Sequence, residues 1–348
     1  MGSVKDLVVL KSSTPFEFGT GNFVFSDRYS VFDWGEMPNY IANKGKALCL
    51  IGSYFFEKLE DMGIKTHYMG LVENEQVKRL RQLDATVNTM QVKLVQVIKP
   101  KMRHGIYDYS VYDQGVSNFL VPLEIIYRNA LPEGSSVFKR LINGTLKLET
   151  IGLKNIPEPG KGLENPILEV STKLEATDRY LTWDEAKEIA GINDSETELI
   201  KRTTLQINDL ITRETERMGL VHEDGKLEYG IDADCQLTLV DVLGTPDECR
   251  FAFQGIPVSK EAARIFYRST TWYAEVEEAK KQDQVRWKEL VNSSPPPLPE
   301  ELEKLISQLY MAFCNELTGV TWFGTSSLRE VLFELKEVLQ KEQTMKAT

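Results

Sequence analysis

The spacing of apolar residues predicts strands and one helix in the first third of the chain. Residues 23–35 are rich in aromatic and β-branched residues, and residues 85–98 alternate apolar with polar positions, so both predict strands. Between them, apolar residues at helical spacing over 46–63 predict a helix that ends at a glycine. The apolar run at 119–129 predicts a buried strand, and the tyrosine-rich stretch at 105–115 predicts an inserted loop or lid.

The middle of the chain carries clear helix signals. Thr182 and Glu185 form a capping box at the start of a short helix that closes at Gly191. Residues 195–220 have the apolar stripe of a longer amphipathic helix. Residues 224–243 then predict a hairpin with its turn near 232–234, and the chain beyond it is mainly helical.

Strands and helices in this order do not alternate as regular βαβ units, so the pattern predicts an α+β fold. We expect three regions: an N-terminal antiparallel β domain with one helix (1–118), a central α+β domain that binds nucleotide and ribotide (119–255), and a C-terminal helical region that packs on both (256–348).

Composition narrows the class of protein. The chain has 348 residues, 42% of them hydrophobic, which is enough for two domains with a sizeable core. Its net charge of −11 makes nucleic acid an unlikely partner. Four scattered cysteines indicate reduced thiols, and three scattered histidines make a zinc site improbable. No apolar run is long enough to cross a membrane and no signal peptide opens the chain, so we expect a cytoplasmic protein. The sequence does not determine the oligomeric state, and it is compatible with a homo-oligomer.

The sequence "DGKLEYG" at 224–230 is the first candidate for chemistry. In a strand, Asp224, Lys226 and Glu228 share one face, and a turn centred on 232–235 would place Asp241 opposite Lys226. Two facing carboxylates with a lysine between them suit Mg²⁺ and a phosphoryl oxygen. The alternative is a solvated sheet edge with a cross-strand salt bridge, and the hairpin alone favours that alternative.

Three further blocks surround the hairpin. The segment 25–46 places charged residues among aromatic ones and ends in Lys44–Gly45–Lys46. The segment 127–136 leads from an arginine into a glycine–serine loop, and "TPDECR" at 245–250 ends in a second arginine. Each block could be an ordinary internal pair, loop or turn. Each could also contact an anion.

Taken in order, the motifs resemble those of the SAICAR synthetase family, in particular its archaeal branch. The matching stretches are "DRYSVFD" (27–33), "NKGK" (43–46), "LEIIYRNALPEGSS" (123–136), "STKLEATD" (171–178), "DGKLEYG" (224–230) and "VDVLGTPDECR" (240–250). The resemblance covers about residues 24–250. It implies a two-domain fold with a small antiparallel-sheet domain, an ATP-grasp- or kinase-like domain and C-terminal helices.

The resemblance also implies an activity: ATP-dependent ligation in purine biosynthesis. ATP would phosphorylate the carboxylate of carboxy-aminoimidazole ribotide (CAIR), and the amine of L-aspartate would displace the phosphate to give SAICAR, with ADP and phosphate released. Such chemistry needs positioning and charge neutralisation, and no nucleophilic side chain.

By motif, the resemblance implies a role for each candidate residue. The Mg²⁺ and triphosphate ligands are Glu228 and Asp241, and Lys226 faces the phosphates. The ribotide phosphate is held by Arg128, Ser135 and Arg250, and its base and sugar face Glu124 and Asp224. Lys173 and Asp178 lie beside the nucleotide. The wall where aspartate binds holds Asp27, Ser30, Lys44 and Gly45. Lys226, Asp224 and Arg250 are the catalytic candidates.

The chain departs from the family pattern in four places. The family opens with a glycine-rich "GKxRxxY" turn, for which Gly19 and Gly21 are the candidates, but no basic residue adjoins them in sequence. Lys11 could serve if the chain folds back. Val242 replaces an acid, Thr177 replaces a histidine, and one extra residue in the ribotide loop leaves Ser135 and Ser136 as alternatives.

Two alternatives remain open from the sequence. One is a related ATP-dependent kinase or amide ligase that acts on another carboxylate, which need not keep the phosphate-binding arginines. The other is a non-catalytic nucleotide-binding protein, which the glycine turn without basic residues would favour.

Overall fold

The elements of the computed structural model follow from these periodicities; it describes residues 4–347, except the side chains of Gln114 and of 342–347. The strands are β1 (Lys5–Lys11), β2 (Gly19–Phe25), β3 (Tyr68–Glu73), β4 (Gln76–Lys78), β5 (Thr89–Leu94), β6 (Lys101–Arg103), β7 (Ile106–Asp108), β8 (Phe119–Ala130), β9 (Gly162–Thr172), β10 (Tyr180–Leu181), β11 (Val221–Ile231), β12 (Leu237–Val240), β13 (Cys249–Phe253) and β14 (Ile256–Pro257). The helices are α1 (Lys44–Asp61), α2 (Ser136–Ile142), α3 (Trp183–Ala190), α4 (Asp194–Glu216), α5 (Glu261–Arg268), α6 (Thr271–Gln282), α7 (Trp287–Leu290), α8 (Glu300–Thr318) and α9 (Leu328–Ala347).

The first sheet lies near the N-terminus, in the order β1–β2–β5–β3–β4 with antiparallel neighbours. Strand β1 is an edge strand, and β1 and β2 form a hairpin in which Lys5 pairs with Phe25 and Val9 with Gly21. Helix α1 packs on β2, β3 and β5 through an apolar face that includes Leu48, Phe55 and Phe56.

The second sheet has the order β10–β9–β8–β11–β13–β14, with β12 added beside β11. Its two faces differ because side chains alternate along each strand. One face carries Tyr127, Leu227 and Tyr229, which are buried beneath α3 and α4. The opposite face is polar, and it forms the candidate site.

Two short contacts join the sheets. Thr66 and Leu239 form one isolated bridge, and Gln96 and Phe119 form another. The C-terminal helices extend this body: α8 packs on α1 and α9, and α5 packs on α8 and α9. The mixed antiparallel-sheet and helix architecture with C-terminal helices confirms the α+β prediction. The domain boundaries at 118 and 255 stay a prediction.

Most sequence-predicted elements appear, and the differences have local causes. The helix over 46–63 and the capping box at Thr182 are confirmed. The predicted strand at 23–35 is wrong beyond Phe25, where β2 ends, and farther along the chain turns through left-handed conformations at Phe32 and Asp33. The tyrosine-rich stretch is not simply a loop, since its start lies in the β6–β7 hairpin.

None of the helices described between residues 4 and 347 is long and apolar enough to cross a membrane. The cytoplasmic location stays a prediction.

Candidate active site

Strand β11 brings its charged residues together on the polar face of the second sheet. Glu228 lies opposite Glu124 of β8, and Asp224 lies opposite Arg128. Asp224 and Glu228 are 5% and 6% exposed, so this face is not a solvated edge. Buried carboxylates require paired charges, and the structure supplies them. The solvated-edge alternative is therefore wrong.

Four side chains form what we call the Lys–Glu cluster: Glu124, Lys173, Lys226 and Glu228. The Lys173 Nζ donates to Glu228 Oε1 at 2.6 Å and to Glu124 Oε1 at 3.0 Å. The Lys226 Nζ donates to the same Glu124 oxygen at 2.8 Å and lies 3.7 Å from Glu228 Oε1. The cluster thus holds two ammonium groups and two carboxylates within contact distance of one another.

The β11–β12 hairpin that leads to Asp241 has a different register from the predicted one. Glu228 pairs with Val240, so the predicted pairing of Asp241 with Lys226 is wrong by one residue. The turn covers residues 232–236, where the sequence predicts it. It is one residue longer than the turn that would pair Asp241 with Lys226. A one-residue shift would turn Asp241 to the other face, but the strand ends there and Asp241 has φ 61°.

Lys5 of strand β1 forms an ion pair with Asp241. Burial by itself favours the neutral acid, but the charge and hydrogen bond of Lys5 hold the pKa of Asp241 below its usual range. For Glu228, burial and the negative charge of Asp241 raise the pKa, although Lys173 and Lys226 oppose the shift. A cation bound between the two carboxylates would relieve the repulsion that contributes to this shift in the pKa of Glu228.

The residues fit a divalent cation only in part. Among the described residues, no three His, Cys, Asp or Glu side chains gather as a metal site. Glu228 and Asp241 would hold Mg²⁺ as two carboxylates, and its remaining ligands would come from water and substrate phosphates, as Mg²⁺ prefers.

A second group, the Asp–Arg cluster, lies beside the first: Arg128, Glu169, Asp224 and Arg250. The Arg128 guanidinium donates to Glu169 at 2.7 Å and to Asp224 at 3.1 Å. Arg250 contacts both oxygens of Asp224, with Nε at 2.8 Å. Because Arg128 is 3% exposed and bonds through all three nitrogens, it also fixes this part of the sheet.

A cleft of about 1070 Å³ opens next to the Asp–Arg cluster. Its walls come from the loop before α2, from β13 and from α5, and they include Gly134, Ser136, Arg250, Glu261, Arg264 and Arg268. Of the two candidate serines, Ser135 is buried and caps α2 by accepting the Val137 N–H at 3.4 Å. The Ser136 hydroxyl lines the cleft and lies 2.8 Å from the Tyr180 hydroxyl.

The N-terminal wall is built around the start of α1. Asp27 accepts the backbone N–H groups of Asn43 and Gly45 at 3.2 and 2.9 Å, so its carboxylate holds the helix start. Gly45 lies so close to β2 that a Cβ would be 2.8 Å from the Phe25 carbonyl oxygen. Lys44 is fully buried, with its Nζ 2.6 Å from Asp247, and Ser30 is half-buried on the preceding loop.

The other predicted nucleotide residues lie on two separate segments. Asp178 is exposed on the loop that Lys173 opens. Gly19 and Gly21 lie in β2, and the chain does fold back so that Lys11 pairs with Thr20. The Lys11 side chain is 55% exposed, however, and pairs with Glu17 at the far end of the hairpin.

Lys5 is a site residue that the sequence argument missed. Its signal in the chain is weak: "GSVKDLV" at 2–8 matches the family's "GKxRxxY" pattern at Gly2 and, by charge, at Lys5, while Ser3 and Val8 stand in place of the lysine and the tyrosine. The expected glycine turn was sought later, at Gly19. Glu169 and the cleft arginines of α5, Arg264 and Arg268, carried no sequence signal.

Such an arrangement defines a class of protein. Adjacent lysines, carboxylates and arginines on one sheet face can neutralise and align phosphates, and the free cysteines described are not grouped as nucleophiles. An antiparallel α+β body with this site has the features of an enzyme that binds and transfers phosphoryl groups.

The chain belongs to the SAICAR synthetase family, whose sequence profile matches residues 12–282. It is 53% identical over 340 residues to a protein of Archaeoglobus fulgidus provisionally named a phosphoribosylaminoimidazole-succinocarboxamide synthase, covering 98% of this chain and 100% of that one. It is 34% identical to the Thermoplasma acidophilum phosphoribosylaminoimidazole-succinocarboxamide synthase, over 86% of this chain and 93% of that one. The suspected family is thus confirmed, and with it a carbon–nitrogen ligase of purine biosynthesis.

Solved structures share the fold. The Saccharomyces cerevisiae SAICAR synthase complexed with SAICAR has TM-score 0.60 and 20% identity, over 91% of this chain and 97% of that one. A type-2 SAICAR synthetase in complex with ADP has TM-score 0.56 and 22% identity, over 86% and 99%.

Proposed function

We propose that the enzyme joins L-aspartate to the carboxylate of CAIR at the expense of ATP, through an acyl phosphate, and releases SAICAR, ADP and phosphate. Its family membership supports this reaction, and solved relatives that carry ADP or SAICAR agree with it. ATP and Mg²⁺ are the cofactors we assign.

The observation that carries the proposal is the placement of two charged clusters on one strand. Asp224, Lys226 and Glu228 occupy alternate positions of β11, so Asp224 of the Asp–Arg cluster and Glu228 of the Lys–Glu cluster are about 13 Å apart along the strand. That span suits a ribotide at one end and a nucleotide triphosphate at the other. The carboxylate of the ribotide would then meet the terminal phosphate between them.

At the nucleotide end, Glu228 and Asp241 would hold Mg²⁺. Lys226, Lys173 and Lys5 surround these carboxylates, and each would exchange part of its protein contacts for phosphate oxygens. Gly19 and Gly21, with Asp178 on the opposite loop, would border the nucleotide. The Mg²⁺ ion, when bound, would neutralise charge that develops on the transferred phosphoryl group.

At the ribotide end, Arg250 and the loop that holds Ser135 and Ser136 would bind the phosphate, with Ser136 as the hydroxyl in contact. Arg128 lies at the base of this site and would orient Asp224 towards the sugar. Glu124 lies between the clusters, where the base and its carboxylate would sit.

L-Aspartate would enter along the N-terminal wall, which Ser30 borders and Asp27, Lys44 and Gly45 shape. Because Lys44 is buried against Asp247, and Asp27 holds the start of α1, their contribution is to fix this wall. The amine of aspartate would reach the acyl phosphate from that side.

The test is ADP release with Mg²⁺–ATP, CAIR and L-aspartate, each omitted in turn. We expect ADP release only with all three. Release that does not need CAIR would overturn the assignment in favour of another kinase or ligase. Nucleotide binding without turnover would instead favour a non-catalytic protein.

A further inference from the structure

The tyrosine-rich segment is anchored to the second sheet. After the β6–β7 hairpin, Tyr112 is buried, with its ring 5.5 Å from that of Phe119, and its hydroxyl donates to the Ile98 carbonyl. Its own carbonyl oxygen lies 2.5 Å from where a Cβ of Gly191 would be, so only glycine fits there. The segment is therefore held at its base, and Tyr107 and Tyr109 extend from that base.

These two tyrosines bond to the loop 173–178. The Tyr109 hydroxyl donates to Glu175 Oε1 at 3.0 Å, and the Tyr107 hydroxyl accepts the Ala176 N–H at 2.9 Å. Burial and the charge of Glu175 raise the pKa of Tyr109, so its hydroxyl remains a donor at neutral pH. The two tyrosines are thus hydrogen-bonded to the side chain of Glu175 and to the backbone of Ala176, which belong to the same loop.

The loop 173–178 begins with Lys173, which belongs to the Lys–Glu cluster. It connects β9 to β10, and Thr172 and Arg179 close it with a backbone hydrogen bond of 3.0 Å. Lys173 is fixed at its backbone by the Pro122 carbonyl, also at 3.0 Å. Its Nζ spans Glu124 and Glu228, so a displacement of the loop changes the surroundings of Glu228 directly.

We propose that Tyr107 and Tyr109 are positioning residues that hold the loop 173–178 so that Lys173 is set against Glu228 for the binding of Mg²⁺–nucleotide. This inference rests on the proposed nucleotide end of the site. It gives the inserted segment a role in the affinity for nucleotide. At the ribotide end, Glu124 contacts Lys173 directly, whereas Arg250 and Ser136 belong to the other end of the site and should be affected less.

The test compares Tyr109→Phe, which removes the hydroxyl donor, with Glu175→Leu, which removes the carboxylate acceptor together with its ion pair to Arg179. Titration calorimetry with Mg²⁺–ADP should show each affinity reduced about three- to tenfold, the range expected for losing one hydrogen bond of ordinary net strength. The double variant should lose no more than Glu175→Leu alone, because Tyr109 has no carboxylate left to bond. The KM for ATP should rise more than the KM for CAIR.

Tyr54→Phe is the matched control. Its hydroxyl donates to Glu214 at 2.7 Å between α1 and α4, which is the same chemistry away from the site. This variant should leave ADP affinity unchanged, and its effect should add to that of Tyr109→Phe.

Unchanged ADP affinity in both Tyr109→Phe and Glu175→Leu would overturn the inference, as would equal rises in the KM values for ATP and CAIR. If one variant does not fold, the other measures the same bond. Because ADP binding needs no turnover, these results stand apart from a failure of the CAIR assay, which would overturn only the proposed reaction.

Discussion

The ion pair between Lys5 and Asp241 allows the sharpest test of the nucleotide end. Lys5 lies on the edge strand β1, and Asp241 follows β12 in the second sheet, so the pair joins the two sheets. Their side chains are 16% and 21% exposed. Substituting Lys5→Met keeps most of the aliphatic length but leaves Asp241 without its cation.

The magnitude follows from this partial burial. Exposed ion pairs contribute about 0–1 kcal/mol, and breaking a fully buried pair costs about 3–5 kcal/mol. For Lys5→Met we expect a loss of about 2 kcal/mol in the free energy of unfolding at neutral pH, between these limits. The loss of a cation beside the phosphates should also raise the KM for ATP.

The pH dependence of that loss has a definite sign. The pKa of Asp241 is lowered in the folded state, so its contribution is present above about pH 4 and disappears as the pH falls through the folded value. Burial lowers the pKa of Lys5, but the charges of Asp241 and Glu248 outweigh it, and the net shift is upward. The contribution of Lys5 is therefore present below about pH 10 and lost above the folded pKa.

Urea unfolding at several pH values, followed by circular dichroism, measures the difference between wild type and Lys5→Met. Lys11→Met is the control on the same strand, because among the described residues Lys11 forms its ion pair with Glu17, and both side chains are more than half exposed. We expect it to change stability by less than about 1 kcal/mol. Equal losses for the two variants, or a Lys5→Met loss that persists undiminished well below pH 3, would refute the argument.

Three further outcomes follow from the site and the packing. Glu228→Gln or Asp241→Asn should nearly abolish turnover by weakening Mg²⁺ binding, and near-normal rates at limiting Mg²⁺ would contradict the metal assignment. Because the pKa of Glu228 is raised, activity should fall on the acid side of neutrality, and excess Mg²⁺ should move that fall to lower pH; an acid limb insensitive to Mg²⁺ would count against it. Gly244→Ala should destabilise the fold by about 2–5 kcal/mol, since φ is +68° and a Cβ would lie 2.3 Å from Phe55. Gly105→Ala, with positive φ but open space, should cost only about 1 kcal/mol in the same unfolding assay.

Local signals predicted the elements that carry the site. Helix α1, the capping box at Thr182 and the strand that holds Arg128 were readable because apolar period and capping act within a few residues. The shared face of Asp224, Lys226 and Glu228 also follows from strand geometry alone. Their burial does not, because it depends on the strands on either side and on what covers the face.

Local sequence signals do not predict contacts between segments that are far apart in the chain. The position of Asp241 relative to Glu228 depends on one residue in a hairpin turn and on a left-handed backbone at the strand end. The role of Lys5 depends on how two sheets meet, and that of Tyr109 on how an inserted hairpin packs on a loop. None of these distances is encoded within one strand or one helix.

The sequence by itself determined the family, the α+β class and the residue types available for phosphoryl chemistry, because these lie in ordered motifs and local periodicity. The tertiary structure decided which of those charges face one another. It gave Asp27 a structural place at the start of α1, brought Lys5 to Asp241, and left Lys11 in solvent. The physical reason is that an ion pair depends on the separation of its atoms in space and on their burial, and both are set by packing between elements far apart in the chain.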